Sequence, residues 1–207
     1  FDPDPQVVLH PAIAAPALAG PPTNAMRGYV DRIFALLDDP RYKAPGRAAA
    51  RPRAVRALAE EALDFQESAR RSLGAHWGER TPVERARFAR LFADLIDHGY
   101  LARLSWDGER IEYDTETVNG KDAVVGGRAL SKSGGVTPVF FSLHEDTDGR
   151  WRIYDLSFEG MSLVGNYRAQ FNKIIRASSF DELVARLEAK TRTEAQASAG
   201  SAAPPMT

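Results

Sequence analysis

Two carboxylates and one imidazole raise the question of chemistry first. Asp155 and Glu159 stand in and just after the run Trp151-Arg152-Ile153-Tyr154-Asp155, and His144 follows the run Val139 to Leu143. By two-residue alternation Asp155 shares a face with Trp151 and Ile153, where a carboxylate needs a partner or a raised pKa. His144 on a neighbouring strand is a candidate partner. An Asp155/His144 dyad inside a pocket would suit proton abstraction, the chemistry of a small dehydratase or isomerase. The plainer reading has Asp155 capping a backbone or pairing with an arginine. Residue types alone leave both open.

Other chemistries find less support. The four histidines are His10, His76, His98 and His144, and none stands four residues from another, so no metal site is expected. With no cysteine in the chain, disulfides, thiolate metal sites and thiol nucleophiles are excluded. There is no nucleophile elbow, no Walker loop and no glycine fingerprint leading into a helix. Gly126-Gly127 and Gly134-Gly135 sit among strand-like runs, where glycine marks a bulge or turn rather than a phosphate cradle. No cofactor is expected. Acids number 28 and bases 27 in 207 residues, a balance that argues against nucleic acid as a partner. No run approaches the length of apolar residues that a membrane span needs. The first residue, Phe1, is expected of a processed or engineered product, so the absence of a secretory signal says nothing.

The elements that must position these groups follow from period and turn chemistry. Six prolines between residues 3 and 22 predict an extended arm over 1–22. From Thr23 to about Leu104 the apolar spacing is helical. Met26, Val30, Ile33, Phe34 and Leu37 form one stripe, and Val55, Leu58, Ala59, Ala62 and Leu63 a second. Phe88, Leu91, Phe92, Leu95 and Ile96 form a third, on a long helix opened by Thr81, Pro82 and Glu84 as a capping box. After Arg110 the period becomes two. Ile111, Tyr113, Thr115 and Thr117 alternate with Arg110, Glu112, Asp114 and Glu116. Turn residues at Asn119-Gly120, Ser133 to Gly135 and Asp146 to Gly149 separate four antiparallel strands, expected at 109–118, 121–132, 136–145 and 150–159. Two helices follow, near 162–177 and 179–191, the second with Ser179 and Glu182 as a further capping box. An Ala/Ser/Gly/Pro-rich disordered tail is expected over 193–207. The layout is α+β, with a curved four-stranded sheet packed against helices.

The stretch from Trp151 carries a resemblance. It reads Trp151-Arg152-Ile153-Tyr154-Asp155, then Glu159-Gly160-Met161-Ser162, then Asn166-Tyr167-Arg168-x-Gln170-Phe171. In order and spacing this is similar to the MlaC-type (toluene tolerance) family of periplasmic phospholipid-binding proteins. The resemblance covers about 24–191 and implies a cone related to the nuclear-transport-factor-2 type, over a domain of 23–192. It implies no catalysis. It implies a periplasmic carrier that buries the acyl chains of a phospholipid, or of a hopanoid-like lipid, between sheet and helices. Transient partners would be an outer-membrane lipoprotein complex and an inner-membrane ABC transporter complex.

Period and resemblance together nominate the cavity wall. The long helix offers Phe88, Leu91, Phe92, Leu95 and Ile96. The sheet offers Ile111, Tyr113, Val139, Phe141, Leu143, Tyr154, Leu156 and Phe158. The following helix offers Leu163, Val164, Tyr167 and Phe171. The cavity is expected between the long helix and the sheet.

Overall fold

The computed structural model describes residues 20–42, 50–99 and 110–200. Among these, the helices are α1 (Pro21–Asp38), α2 (Ala50–Ala62), α3 (Phe65–Leu73), α4 (Pro82–Gly99), α5 (Leu163–Ala177) and α6 (Phe180–Gly200). The strands are β1 (Arg110–Asn119), β2 (Asp122–Leu130), β3 (Val136–Glu145), β4 (Trp151–Phe158) and β5 (Met161–Ser162). They form one antiparallel sheet in chain order. The α+β architecture is as expected, with one strand more. Residues Glu159 and Gly160, at φ 50° and 80°, fold the chain straight back, so that Phe158 pairs with Met161. A two-residue strand is too short for an alternation to show.

Local rules explain most helix ends. At the start of α4 the Thr81 N–H donates to Glu84 Oε2 at 2.7 Å, and the Glu84 N–H donates to Thr81 Oγ1 at 3.3 Å. The expected arm ends early, because Pro21 and Pro22 form the first turn of α1 and Pro22 is buried. Proline is pre-organised for a first turn and has no N–H to leave orphaned. The next donor, Thr23 N–H, reaches Glu116 Oε2 on β1 at 2.8 Å, and Thr23 Oγ1 donates to the same oxygen at 2.6 Å. At the other end α6 runs on to Gly200, into the stretch expected as a tail. Its alanines cost little to order in a helix. The remainder of the arm (1–19) and of the tail (201–207) lies outside the described residues.

Two apolar cores result. The helical core joins Ala69 and Leu73 of α3, Phe88, Phe92, Leu95 and Ile96 of α4, Tyr167 and Phe171 of α5, and Phe180, Leu183, Val184 and Leu187 of α6. The sheet core joins Met26 and Val30 of α1 and Ala62 of α2 to Ala123, Val125, Val139, Phe141, Leu143 and Ile153. Polar ties hold the two together. Arg56 of α2 donates to Asp97 of α4 at 2.7 Å. Asp64 N–H donates to the Ile153 carbonyl at 2.8 Å, and Ser68 Oγ to the Tyr154 carbonyl at 2.7 Å. Where a cavity is expected between the long helix and the sheet, α4 packs on α3 and α6, and α1 covers the strands. Both stripes are apolar, and one stripe does not name its partner.

Two β-bulges reset the alternation. In β1, Tyr113 stands opposite Gly127 and Thr115 opposite Gly126, so Asp114 is extra. Glu116 thereby turns inward to α1, while Thr115 and Thr117 turn outward, against the alternation expected for them. The facing glycines make room. A Cβ on Gly127 would lie 2.2 Å from the Glu112 carbonyl oxygen, and one on Gly126 2.2 Å from Thr115 Oγ1. In β4, Leu143 pairs with Ile153 but Ser142 with Asp155, so Tyr154 is extra. Asp155 therefore lies on the face opposite Ile153, not beside it.

Candidate functional site

The inner face of the sheet, toward α1, is largely apolar, with the Glu116 carboxylate that receives Thr23 as its polar exception on β1. One row crosses all five strands: Tyr113, Gly127, Val139, Phe158 and Met161 stand opposite one another in turn. At the usual spacing of strands this row is about 19 Å long. Beside it runs a second row of Val125, Phe141 and Leu156. The cover is uneven. Val125, Val139 and Leu143 are fully buried. Ile111, Tyr113, Ala129 and Leu156 are only partly buried. Phe158 is 46% and Met161 71% exposed at the β5 end. Burying such a side chain contributes about 1.5–3 kcal/mol, which the sheet forgoes here. Two neighbouring apolar side chains left in the open at the end of an otherwise covered row make that end the candidate binding surface.

The row begins on a polar atom. Tyr113 Oη is buried and has no hydrogen-bond partner among the described residues. Burial pushes its pKa up, with Asp31 adding to the rise and Arg27 opposing it, so the phenol keeps its proton. The Arg27 guanidinium lies 5.6 Å from the ring centroid. This end of the row therefore joins an apolar surface, an unused donor and a cation.

The carboxylate and imidazole weighed for catalysis are engaged separately. Asp155 Oδ1 accepts from Leu156 N–H and Val164 N–H, each at 2.9 Å, and its Oδ2 accepts from Ser162 Oγ. It thus holds the first turn of α5, where Ser162 also caps Gly165 N–H at 2.8 Å. His144 Nδ1 instead faces Asp122 Oδ1 at 3.5 Å. Asp122 receives Arg71 Nη2 at 2.6 Å, and the Arg71 guanidinium stacks 3.8 Å from the Tyr154 ring centroid. His144 also borders a cleft of about 830 Å³ between α3, α4 and the β3–β4 turn, with Asp64, Glu67, Arg70, Trp77 and Arg85 on its walls. Glu67 there is held by Arg70 and Arg71. Burial would raise its pKa, and the two guanidinium groups outweigh this and bring it to about 2. The cleft is lined about equally by polar and apolar groups, Trp77, Pro82, Ala86 and Ala89 among the latter, and its charges are largely paired. No group of three or more His, Asp or Glu able to hold a metal occurs among the described residues.

Of the seventeen nominated wall residues, fourteen divide between the two cores. Phe88, Phe92, Leu95, Ile96, Tyr167 and Phe171 are buried in the helical core, with Leu91 and Leu163 packed against it. Val164 is buried at the start of α5. Val139, Phe141 and Leu143 are in the sheet core, with Ile111, Tyr113 and Leu156 beside it. Phe158 continues their face into the open. Tyr154, the bulge residue, turns instead to Arg71, whose Nη1 donates to its hydroxyl at 3.0 Å. The sequence reading missed Met26, Tyr29, Val30 and Phe34 as cover for the sheet, although their stripe was visible. Met161 was missed because its strand was.

Comparisons with known proteins bear on the same chain. An intermembrane phospholipid transport system binding protein MlaC of Haemophilus influenzae is 22% identical over 121 residues, 56% of this chain and 56% of that protein. The chain thus matches just over half the length of this curated relative. A phospholipid-binding protein from Ralstonia solanacearum, solved in complex with a phospholipid, superposes with a TM-score of 0.70 at 20% identity. It covers 85% of this chain and 99% of its own, which establishes the fold. A profile of the family described as MlaC protein matches residues 27–189, well over half of the sequence. The chain belongs to the MlaC family.

Proposed function

We propose that this protein is a periplasmic lipid carrier. It holds the acyl chains of a phospholipid against the inner face of the sheet and passes the lipid between an outer-membrane lipoprotein complex and an inner-membrane ABC transporter complex. The observation that carries the reading is the apolar row on the inner face, left exposed at Phe158 and Met161. Membership of the MlaC family and the phospholipid bound by the Ralstonia solanacearum relative support the choice of ligand. Each buried methylene contributes about 0.8 kcal/mol, so about thirty of them make a two-chain lipid insoluble by tens of kcal/mol. A carrier must supply an apolar surface and needs no nucleophile or metal. Among the described residues, no helix is long and apolar enough to cross a membrane.

Binding rather than catalysis also fits Asp155, whose two oxygens are occupied by the start of α5. The test is organic extraction of the purified protein followed by mass spectrometry of the lipids. Phospholipid should be recovered in proportion to protein, and His144→Ala should carry as much as the parent. Protein that yields no lipid when purified, and takes none from phospholipid vesicles, would overturn the proposal. A turnover lost in His144→Ala would favour an enzyme.

A further inference from the structure

Among the described residues, four buried side-chain polar atoms lack a hydrogen-bond partner: Arg80 Nε, Tyr113 Oη, His144 Nδ1 and Arg152 Nε. The arginines and the histidine have other nitrogens to satisfy. Arg80 and Arg152 use theirs on Glu79 and on the Glu60 and Leu63 carbonyls, and His144 Nδ1 has Asp122 at 3.5 Å. The tyrosine has one polar atom, and that atom is the orphan. Folded proteins seldom leave a buried donor unused, and those that do commonly meet it with a ligand or a water.

Position says which kind of ligand. Tyr113 opens the row that continues through Gly127 and Val139 to Phe158 and Met161. The row is apolar everywhere beyond the phenol. A molecule with its hydrocarbon on the exposed Phe158 and Met161, entering along the row beneath α1 past the buried Val139, would bring one acceptor to the β1 end. Burial keeps the phenol protonated, so it can donate and is unsuited to pairing with a cation.

We propose that Tyr113 Oη donates a hydrogen bond to an ester carbonyl of the bound lipid, and so selects lipids whose chains are joined by esters over those joined by ethers. An ester linkage offers a carbonyl oxygen at the junction of chain and head, while an ether linkage offers only a weaker, crowded oxygen. This inference rests on the lipid-carrier reading. Tyr113 acts by specificity, since the hydrocarbon contacts are common to both lipid types.

The experiment loads the protein from vesicles holding equal amounts of diester and diether phosphatidylethanolamine with the same chains. Bound lipids are then counted by mass spectrometry. The parent protein should hold the diester roughly five- to tenfold over the diether, the worth of one hydrogen bond. Tyr113→Phe should hold both about equally while unfolding at a similar temperature. A preference that survives in Tyr113→Phe, or that is missing from the parent, overturns the assignment and leaves a buried water as the partner of Oη. Uptake of neither lipid by the parent would instead overturn the carrier reading. A second measurement needs no variant. Diester lipid labelled with carbon-13 at the carbonyls should show a lowered carbonyl stretching frequency in the complex, and an unshifted band overturns the proposal.

Discussion

The helical core and the sheet core are built from similar residues and finished differently. In the first, Phe88, Phe92, Tyr167, Phe171 and Phe180 meet as stacked and edge-on rings with centroids 5.4–6.1 Å apart. Helices surround them on every side, and Phe88 and Phe92 are wholly buried. In the second, α1 and α2 cover part of the strands, and the apolar rows run on past them to Phe158 and Met161. A closed core spends all its apolar surface on stability. A half-closed one keeps some for a ligand. The division also explains why aromatic density alone misleads: the richest aromatic cluster is the packed one.

Substitutions can separate the two regions. The largest effect is expected of Phe92→Ala, which empties the centre of the helical core and should cost about 3–5 kcal/mol in denaturant unfolding. Lipid carried per folded molecule should not change, and a selective loss of lipid would place the cavity in the helical core instead. Acid should act next. Glu67 titrates at about 2 in the folded protein, below its unfolded value. Its pairing therefore stabilises fully above the unfolded carboxylate pKa and is lost as pH falls toward 2. With Arg70 half exposed to water, the expected loss is on the order of 2 kcal/mol. Glu67→Gln should flatten the pH dependence of the urea midpoint over that window.

Smaller effects sharpen the comparison on the sheet side. Glu116→Ala removes the carboxylate that caps α1 and should cost about 1 kcal/mol. Because α1 is the cover of the sheet core, lipid should also exchange faster from this variant with acceptor vesicles, and an unchanged exchange rate would show that the cover does not depend on that cap. Phe158→Glu should alter stability least, within about 0.5 kcal/mol, because the side chain is nearly half exposed. Co-purifying lipid should nevertheless fall sharply. A stability loss without lipid loss would make Phe158 an ordinary packing residue.

Much of the fold was readable in the chain. The change of period at Arg110, the Asn119-Gly120, Ser133 to Gly135 and Asp146 to Gly149 turns, and the Thr81/Glu84 box are local signals, and β1 to β4 and the start of α4 stand close to where they put them. What failed was parity beyond a bulge. Asp114 and Tyr154 each insert one residue, and each insertion moves a carboxylate to the other face: Glu116 inward, Asp155 outward. Gly126-Gly127 did signal irregularity, but a glycine pair does not say which residue opposite is extra. The choice of α1 rather than α4 as cover for the sheet was also beyond reach, since it depends on contacts between segments far apart in sequence. The candidate site was legible in its sheet residues and not in its helical ones.

The bulge at Asp114 has a consequence for how the molecule keeps to itself. Among the described residues, strand β1 is a ten-residue edge of the sheet, and an edge of that length left open invites a strand from another molecule. A joining strand would need a regular ladder of donors and acceptors. The inserted residue breaks that ladder near its middle and twists the strand on either side. Arg110, Glu112 and Asp114 add charged side chains along the strand, with Arg110 3.3 Å from Glu112. The irregularity that turns Glu116 toward α1 thus also discourages fibre growth from the edge of the sheet.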